Sequence, residues 1–331
     1  MSIKKNIIIS IIVIIDIAAI LFGLTLFAEN IIKNKLDVAI LRLKGTVDVT
    51  YDNVNFNLFK LSSSIKNVKI TPTGKKDGVN IDSITISSID RKNDIPTYLN
   101  FTASGINLKI TEQMFTLKTQ PLTALGFKNL NGNLELNYKY DTEKKELNLI
   151  KLSAKIDKIG DVDIISHLGN INLTFFDNPV TTNMAIPNIL LYNAEINYKD
   201  SAFINRLFKL FAEENKTSPE LQEVLFNAMI DQQFAAATDD YAKKSIPEFK
   251  KFVSSPDKIT FKINPKKPMS FGLLKEIEYS KMPELLCLEI TSTEKSTPKP
   301  TETPKIAETP KTVEPPKSSG AIKTKESNLK K

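Results

Sequence analysis

The sequence predicts an α+β protein that is mainly β. It has a single N-terminal transmembrane helix, an extended antiparallel β meander forming a curved sheet or groove, an inserted helical segment and a disordered C-terminal tail. Three observations carry this prediction. Ile7 to Ala28 is a run of 22 residues, apolar or small but for Asp16. From Val47 onward apolar and polar residues alternate in run after run, the period-two pattern of strands with one apolar and one wet face. From Ser292 a Pro-Lys pair recurs every six residues with no apolar face to bury. The predicted boundaries are 1–6 for a cytoplasmic N-terminus, 7–28 for the anchor and 29–44 for a helical connector. The β domain follows over 45–200, a helical insert over 201–253, a return strand over 254–290 and the tail over 291–331.

The first run predicts a membrane crossing. At about 1.5 Å per residue, 22 helical residues reach about 33 Å, enough for a hydrocarbon core of about 30 Å. A cleaved signal would have a shorter apolar core and small residues before the cut, whereas Leu26-Phe27-Ala28 precedes Glu29. Lys4 and Lys5 place the N-terminus in the cytoplasm and the body beyond a bacterial inner membrane, in the periplasm. Asp16, Ala19 and Gly23 fall on one helical stripe, a candidate packing face against another transmembrane helix, with the carboxyl bonded across it.

The β pattern begins with Val47, Val49 and Tyr51; Asp52-Asn53 shifts its phase, and Val54, Phe56 and Leu58 alternate in the new one. Ile65, Val68 and Ile70 follow, then the turn Thr73–Gly78. Val79/Ile81, Ile84/Ile86, Leu99/Phe101/Ala103 and Ile106/Leu108/Ile110 continue the meander. The clearest hairpin joins Leu134, Leu136, Tyr138 and Tyr140 to Leu147, Leu149, Leu152, Ala154 and Ile156 through Asp141–Lys145. Lys158-Ile-Gly160 turns into Val162/Ile164, and Ile171/Leu173/Phe175 is a last alternation before the strand Leu190–Tyr198. Strands this long, joined by short polar turns, predict one extended sheet. Its candidate apolar groove is lined by Val54, Phe56, Leu58, Leu134, Leu136, Tyr138, Leu147 and Leu149.

Helical periodicity replaces alternation after residue 201. Phe203, Ile204, Leu207, Phe208 and Phe211 form one amphipathic stripe. Thr217-Ser-Pro-Glu220 starts a second helix, with Leu221, Val224, Leu225, Ala228 and Met229 as its apolar face. Ser245-Ile-Pro-Glu248 predicts the start of a third, and Ile259/Phe261/Ile263 returns to strand. The insert is either a helical layer completing the core or a lid over one end of the groove. The tail, with Pro298-Lys299, Pro304-Lys305, Pro310-Lys311 and Pro316-Lys317, predicts a polyproline-II or disordered spacer.

The net charge of +7 does not mark a nucleic-acid-binding face. Nine Lys and five Glu in 291–331 supply +4, and Lys4 and Lys5 supply +2, which leaves +1 for residues 6–290. The chain has three arginines, Arg42, Arg91 and Arg206, too few for a phosphate-reading patch, so no nucleic-acid partner is expected. Cys287 is the only cysteine, which excludes an intramolecular disulfide. His167 is the only histidine, so a His/Cys zinc site is excluded, and no nucleophile elbow, Walker motif or dinucleotide fingerprint accompanies it. Asp157, Asp161 and Asp163 lack the spacing of a calcium loop, and Glu213-Glu214 and Asp239-Asp240 read as solvated helix ends. No catalytic residue, cofactor or metal is predicted, and the chain reads as a non-enzyme.

The stretch Val47-Asp-Val-Thr-Tyr-Asp-Asn-Val-Asn-Phe-Asn-Leu-Phe59 through Ile65-Lys-Asn-Val-Lys-Ile70, behind a short basic N-terminus and one anchor, resembles the opening of bacterial AsmA-like envelope proteins. The resemblance covers about a quarter of the chain. It implies a periplasmic, membrane-anchored sheet whose apolar face serves lipid handling or envelope maintenance. The expected partners are therefore membrane lipids and, through the Asp16 face, another transmembrane helix. The alternative is an envelope scaffold with a closed β core that works through its transmembrane helix and tail.

Overall fold

The structure is a computed structural model of the 331-residue chain. It describes residues 47–294 except 58–61, 75–76, 91–92, 94–95, 111–115, 118–119 and 173–183. The chain divides into two units, 1–295 and 296–331, and the described residues lie in the first. In chain order the strands begin with β1 (Val47–Thr50), β2 (Asn53–Asn57), β3 (Ser62–Pro72), β4 (Val79–Ile89) and β5 (Tyr98–Lys109). Short β6 (Thr116–Leu117) and β7 (Gln120–Pro121) pair with each other. Then come β8 (Asn129–Asp141), β9 (Glu146–Ile156), β10 (Gly160–Gly169) and β11 (Leu190–Asp200). Helices α1 (Phe203–Asn215), α2 (Pro219–Gln233) and α3 (Asp240–Ser254) precede β12 (Lys258–Ile263) and β13 (Met269–Ser270). Two four-residue helices, α4 (Phe271–Leu274) and α5 (Met282–Leu285), lead to β14 (Glu289–Thr293).

Among the described residues no helix is long and apolar enough to cross a membrane. The longest, α2 and α3, have 15 residues each, about 22 Å, and both carry charges. This corrects two expectations: the single N-terminal transmembrane helix in the fold class and the inner-membrane location drawn from it. The run Ile7–Ala28, with Asp16, Ala19 and Gly23, lies outside the described residues, as do the connector 29–44 and residues 295–331 of the tail, whereas 291–293, assigned to the tail by the sequence, belong to β14 and pair with β12.

The twelve strands of the main sheet are antiparallel, in the order β1-β3-β4-β5-β8-β9-β10-β11-β12-β14, with β2 also on β3 and β13 on β11. Directly opposed residues share a face, so the register lays out continuous apolar rows. One row runs Ile65, Ile84, Ala103, Leu134, Ala154, Val162, Tyr198, Ile259. The next runs Ile86, Phe101, Leu136, Leu152, Ile164, Ile196, Phe261, Ile290. The opposite face is polar: Ser64, Thr85, Thr102, Glu135, Ser153, Asp163, Asn197 and Thr260 follow one another across the strands.

The three-residue spacings Ile65/Val68, Ile81/Ile84 and Ala103/Ile106 keep both members of each pair on the apolar face despite a period of two. Asn67 (φ 53°) and Gly105 (φ 65°) each insert a left-handed residue, and the register shifts between β5 and β8 at Ala103/Ile106. A Cβ at Gly105 would run into the Asp82 carboxylate. In β9 a register shift without a left-handed residue has the same effect: Leu149 and Leu152 share a face and Ile150 stands exposed.

The third helix starts earlier than Ser245. Asp239, expected at a solvated end, caps it by accepting from Ala242 N–H at 2.9 Å. Pro247 therefore stands inside the helix, on its exposed side, while Ala242, Ser245, Phe252 and Val253 bury the other. Ser218 caps α2 as its sequence predicts, accepting from Leu221 N–H at 3.2 Å.

Candidate functional site

Coverage of the apolar face is uneven. On β1 and β3–β5, Val47, Ile65, Val68, Ile70, Ile81, Ile84, Ile86, Leu99, Phe101 and Ala103 are sealed to 1% exposure or less. Leu134, Leu136 and Tyr138 of β8 are partly buried against this cluster. At one end of the central strands α1 forms a second cluster, where Leu210 meets Ile110, Leu125 and Phe127, flanked by Leu130, Ile159, Phe203 and Leu207. At the other end the segment 269–288 forms a third, Leu191, Met269 and Leu286 with Leu168, Ala194 and Ile263 around them. Helix α3 covers the last strands: Phe252 packs edge-on against Tyr198 at 6.0 Å and Phe249 against Phe261 at 6.3 Å.

Between these covers lie Leu149, Leu152, Ala154, Val162, Ile164 and Ile196. All but Leu149, which lies opposite Tyr138 on the same face, continue the two rows that are sealed on β4 and β5, yet each keeps partial solvent exposure and none belongs to the three buried clusters. Together with Leu134 and Leu136 they form an apolar floor bordered on each side by packed structure.

The polar groups on this face are turned to the protein itself. Tyr138 OH donates to Pro96 O at 3.0 Å, and burial, with the Asp90 charge adding to it, pushes its pKa up to about 12. Tyr140 OH donates to Ile171 O at 2.8 Å. Tyr198 lies over Gly160, whose φ of 146° and lack of a side chain admit the ring; a Cβ there would strike the ring and Lys199 O. Its hydroxyl lies 2.7 Å from Ile159 O and 2.8 Å from Asp200 Oδ1. Burial first, then the Asp200 bond and charge, holds the Tyr198 phenol far above its usual range. Asp200 Oδ1 also accepts from Phe203 and Ile204 N–H at the start of α1, while its Oδ2 is buried without a hydrogen-bond partner. What remains toward the floor is hydrocarbon apart from the buried Ser166, opposite Leu149 and Ala194.

Charged side chains collect on the other face. Lys151 meets Glu135 at 2.7 Å, and the bond and charge of Glu135 raise the lysine pKa. His167 stacks on Tyr192 at 4.5 Å, with Nε2 3.1 Å from Glu146 Oε2. Among the described residues no group of three or more His, Cys, Asp or Glu could hold a metal ion.

Of the residues the sequence assigns to the groove, Leu134, Leu136, Tyr138, Leu147 and Leu149 share the apolar face of β8 and β9. Val54 lies apart, packed against the first cluster and opposite Ile65. Phe56 belongs to β2, opposite Ser63, and Leu58 lies outside the described residues. Sequence reasoning placed Leu152, Val162, Ile164 and Ile196 in strands but not in the groove; the hairpin register itself aligns Leu152 with Leu136, and extending it two strands further would have aligned Val162, Ile164 and Ile196 with Leu134 and Leu136.

Helix α2 is apolar on two sides. Phe226 packs on Phe208 at 5.9 Å and Ile230 is buried, while Leu221, Val224, Leu225 and Met229 are 45–62% exposed.

A family model described only as "Uncharacterized protein" matches residues 153–293, less than half of the chain, from the second half of β9 through β14. No curated protein matches.

Proposed function

We propose that this protein is a non-enzymatic lipid-binding protein that holds hydrocarbon chains of membrane lipids against the apolar floor of β8–β11. One observation carries the reading: rows that are sealed on β4 and β5 continue into Leu152, Val162, Ile164 and Ile196, which stay partly exposed and outside the three buried clusters of the described residues. Apolar surface left in water forgoes about 25 cal/mol for each Å² that a ligand could bury. A floor bordered by packed clusters and built almost wholly of aliphatic side chains selects a hydrocarbon rather than a polar ligand. The AsmA-like resemblance of Val47–Ile70 implies the same ligand class.

The test is organic extraction and native mass spectrometry of the purified full chain, beside an Ile164→Asn variant of matching circular dichroism. Lipid retained at about one per chain by the parent and lost from the variant is the expected result. A lipid-free parent that takes up none from added vesicles would overturn the reading in favour of a closed scaffold.

A further inference from the structure

We infer that helix α3 is a displaceable lid, whose movement extends the floor from β11 onto β12 and β14. The inference rests on the lipid-binding reading above. Both apolar rows pass under the helix unbroken: Val162, Tyr198, Ile259 in one, and Ile164, Ile196, Phe261, Ile290 in the other. Among the described residues the floor is thus partly exposed on one side of β11 and covered by α3 on the other. Along the outermost strand that helix is fastened by Ser245 and Glu248, with a Lys251–Glu294 ion pair at 3.7 Å beside them. Ser245 Oγ accepts from Ile290 N–H at 3.2 Å and donates to Leu288 O at 2.7 Å. Glu248 Oε2 accepts from Ser292 N–H at 2.9 Å and from its hydroxyl at 2.8 Å. Pro247, between the two fasteners, has no N–H to bond the preceding turn.

Behind the helix the packing is incomplete. A cleft of about 420 Å³ separates α3 from α2, lined by Asn227 and Asp231 on one side and Ile246, Pro247, Lys250 and Ser254 on the other. Asn227 Oδ1 is buried there without a hydrogen-bond partner. Across it Lys250 reaches Asp231 at 2.7 Å, a half-exposed pair that turns with the helix at little cost. The lid therefore has space to retreat into, and opening it breaks the Ser245 and Glu248 bonds and uncovers the buried Phe252 and Val253, apolar surface that a lipid chain would cover again. While closed it also takes the outward N–H groups of an edge strand, which otherwise invite pairing with another chain.

The experiment reads uptake of a fluorescent phosphatidylcholine from phosphatidylcholine vesicles by the full chain. A Cys287→Ser background carries Glu248→Cys and Ser292→Cys, joined by a short bis-thiosulfonate linker. Uptake falling about tenfold on linking and returning on reduction is expected for a gating element. Equal rates for linked and reduced protein, with uptake intact in both, would overturn the lid and leave the floor standing. No uptake by the unmodified chain would overturn the floor and the lid with it. Should the double variant not fold, hydrogen exchange on the unmodified chain decides: vesicles should speed exchange of the Ile290 and Ser292 amides about tenfold, and unchanged protection would overturn the lid.

Discussion

Truncating Ile164 and Ile86 to alanine, one at a time, separates an open floor from a closed core by stability alone. The two share a row, four strands apart, and differ in cover: Ile86 has no exposed surface, whereas Ile164 is partly exposed. Ile86→Ala removes buried methyl and methylene groups and leaves an enclosed void beside Phe101, so it should destabilise by about 2–5 kcal/mol. At Ile164 only part of the transfer term is lost and water fills the space without a cavity, so about 1 kcal/mol is expected. Equilibrium urea unfolding of the full chain, with equal slopes for parent and variants, measures the difference. Saturating lipid should enlarge the Ile164 effect and leave that of Ile86 unchanged. If Ile164→Ala alone costs as much as Ile86→Ala without lipid, the floor is a closed core and the reasoning fails.

Three further outcomes follow from particular contacts. Gly160→Ala puts a methyl group against Lys199 O and the Tyr198 ring at a left-handed φ, so the midpoint of unfolding should fall by the equivalent of about 1–3 kcal/mol. Leu225→Gln, on the exposed stripe of α2, should change stability by no more than about 0.5 kcal/mol while lowering binding of an apolar dye. The Ser292 hydroxyl and amide hold Glu248 below the usual carboxylate range, so its folded pKa lies under its unfolded one. Its contribution is then complete above the unfolded value and is lost as pH falls through the folded value. Glu248→Gln should lower stability at neutral pH, leave it little changed in acid and so flatten the acid limb of the pH–stability curve, as a pH series of urea midpoints would record.

Much of the sheet is legible in the chain because alternation is a local property. The hairpin through Asp141–Lys145, the phase break at Asp52-Asn53 and the three-residue step Leu149–Leu152 all mark features of the ladder. The start of α3 is obscured because Pro247 resembles a first-turn proline, and only burial of Ala242 and Ser245 shows the helix running through it. The cover of each apolar face is less accessible still. Ile86 and Ile164 sit in the same alternating pattern, and their different exposure arises from helices and segments far away in sequence. For that reason the groove residues chosen from the strongest alternation include four packed against the sealed cluster, Val54, Leu134, Leu136 and Tyr138, while Val162 and Ile196 on the floor were left out.

Photolabelling tests the central claim most directly. The full chain is loaded with a phosphatidylcholine bearing a diazirine on its acyl chain, irradiated and digested, and the labelled residues are read by mass spectrometry. The account predicts label on Leu149, Leu152, Val162, Ile164 and Ile196. Label confined to the polar face of the same strands, around Lys151, Asp163 and Glu195, or to the exposed stripe of α2 would contradict it.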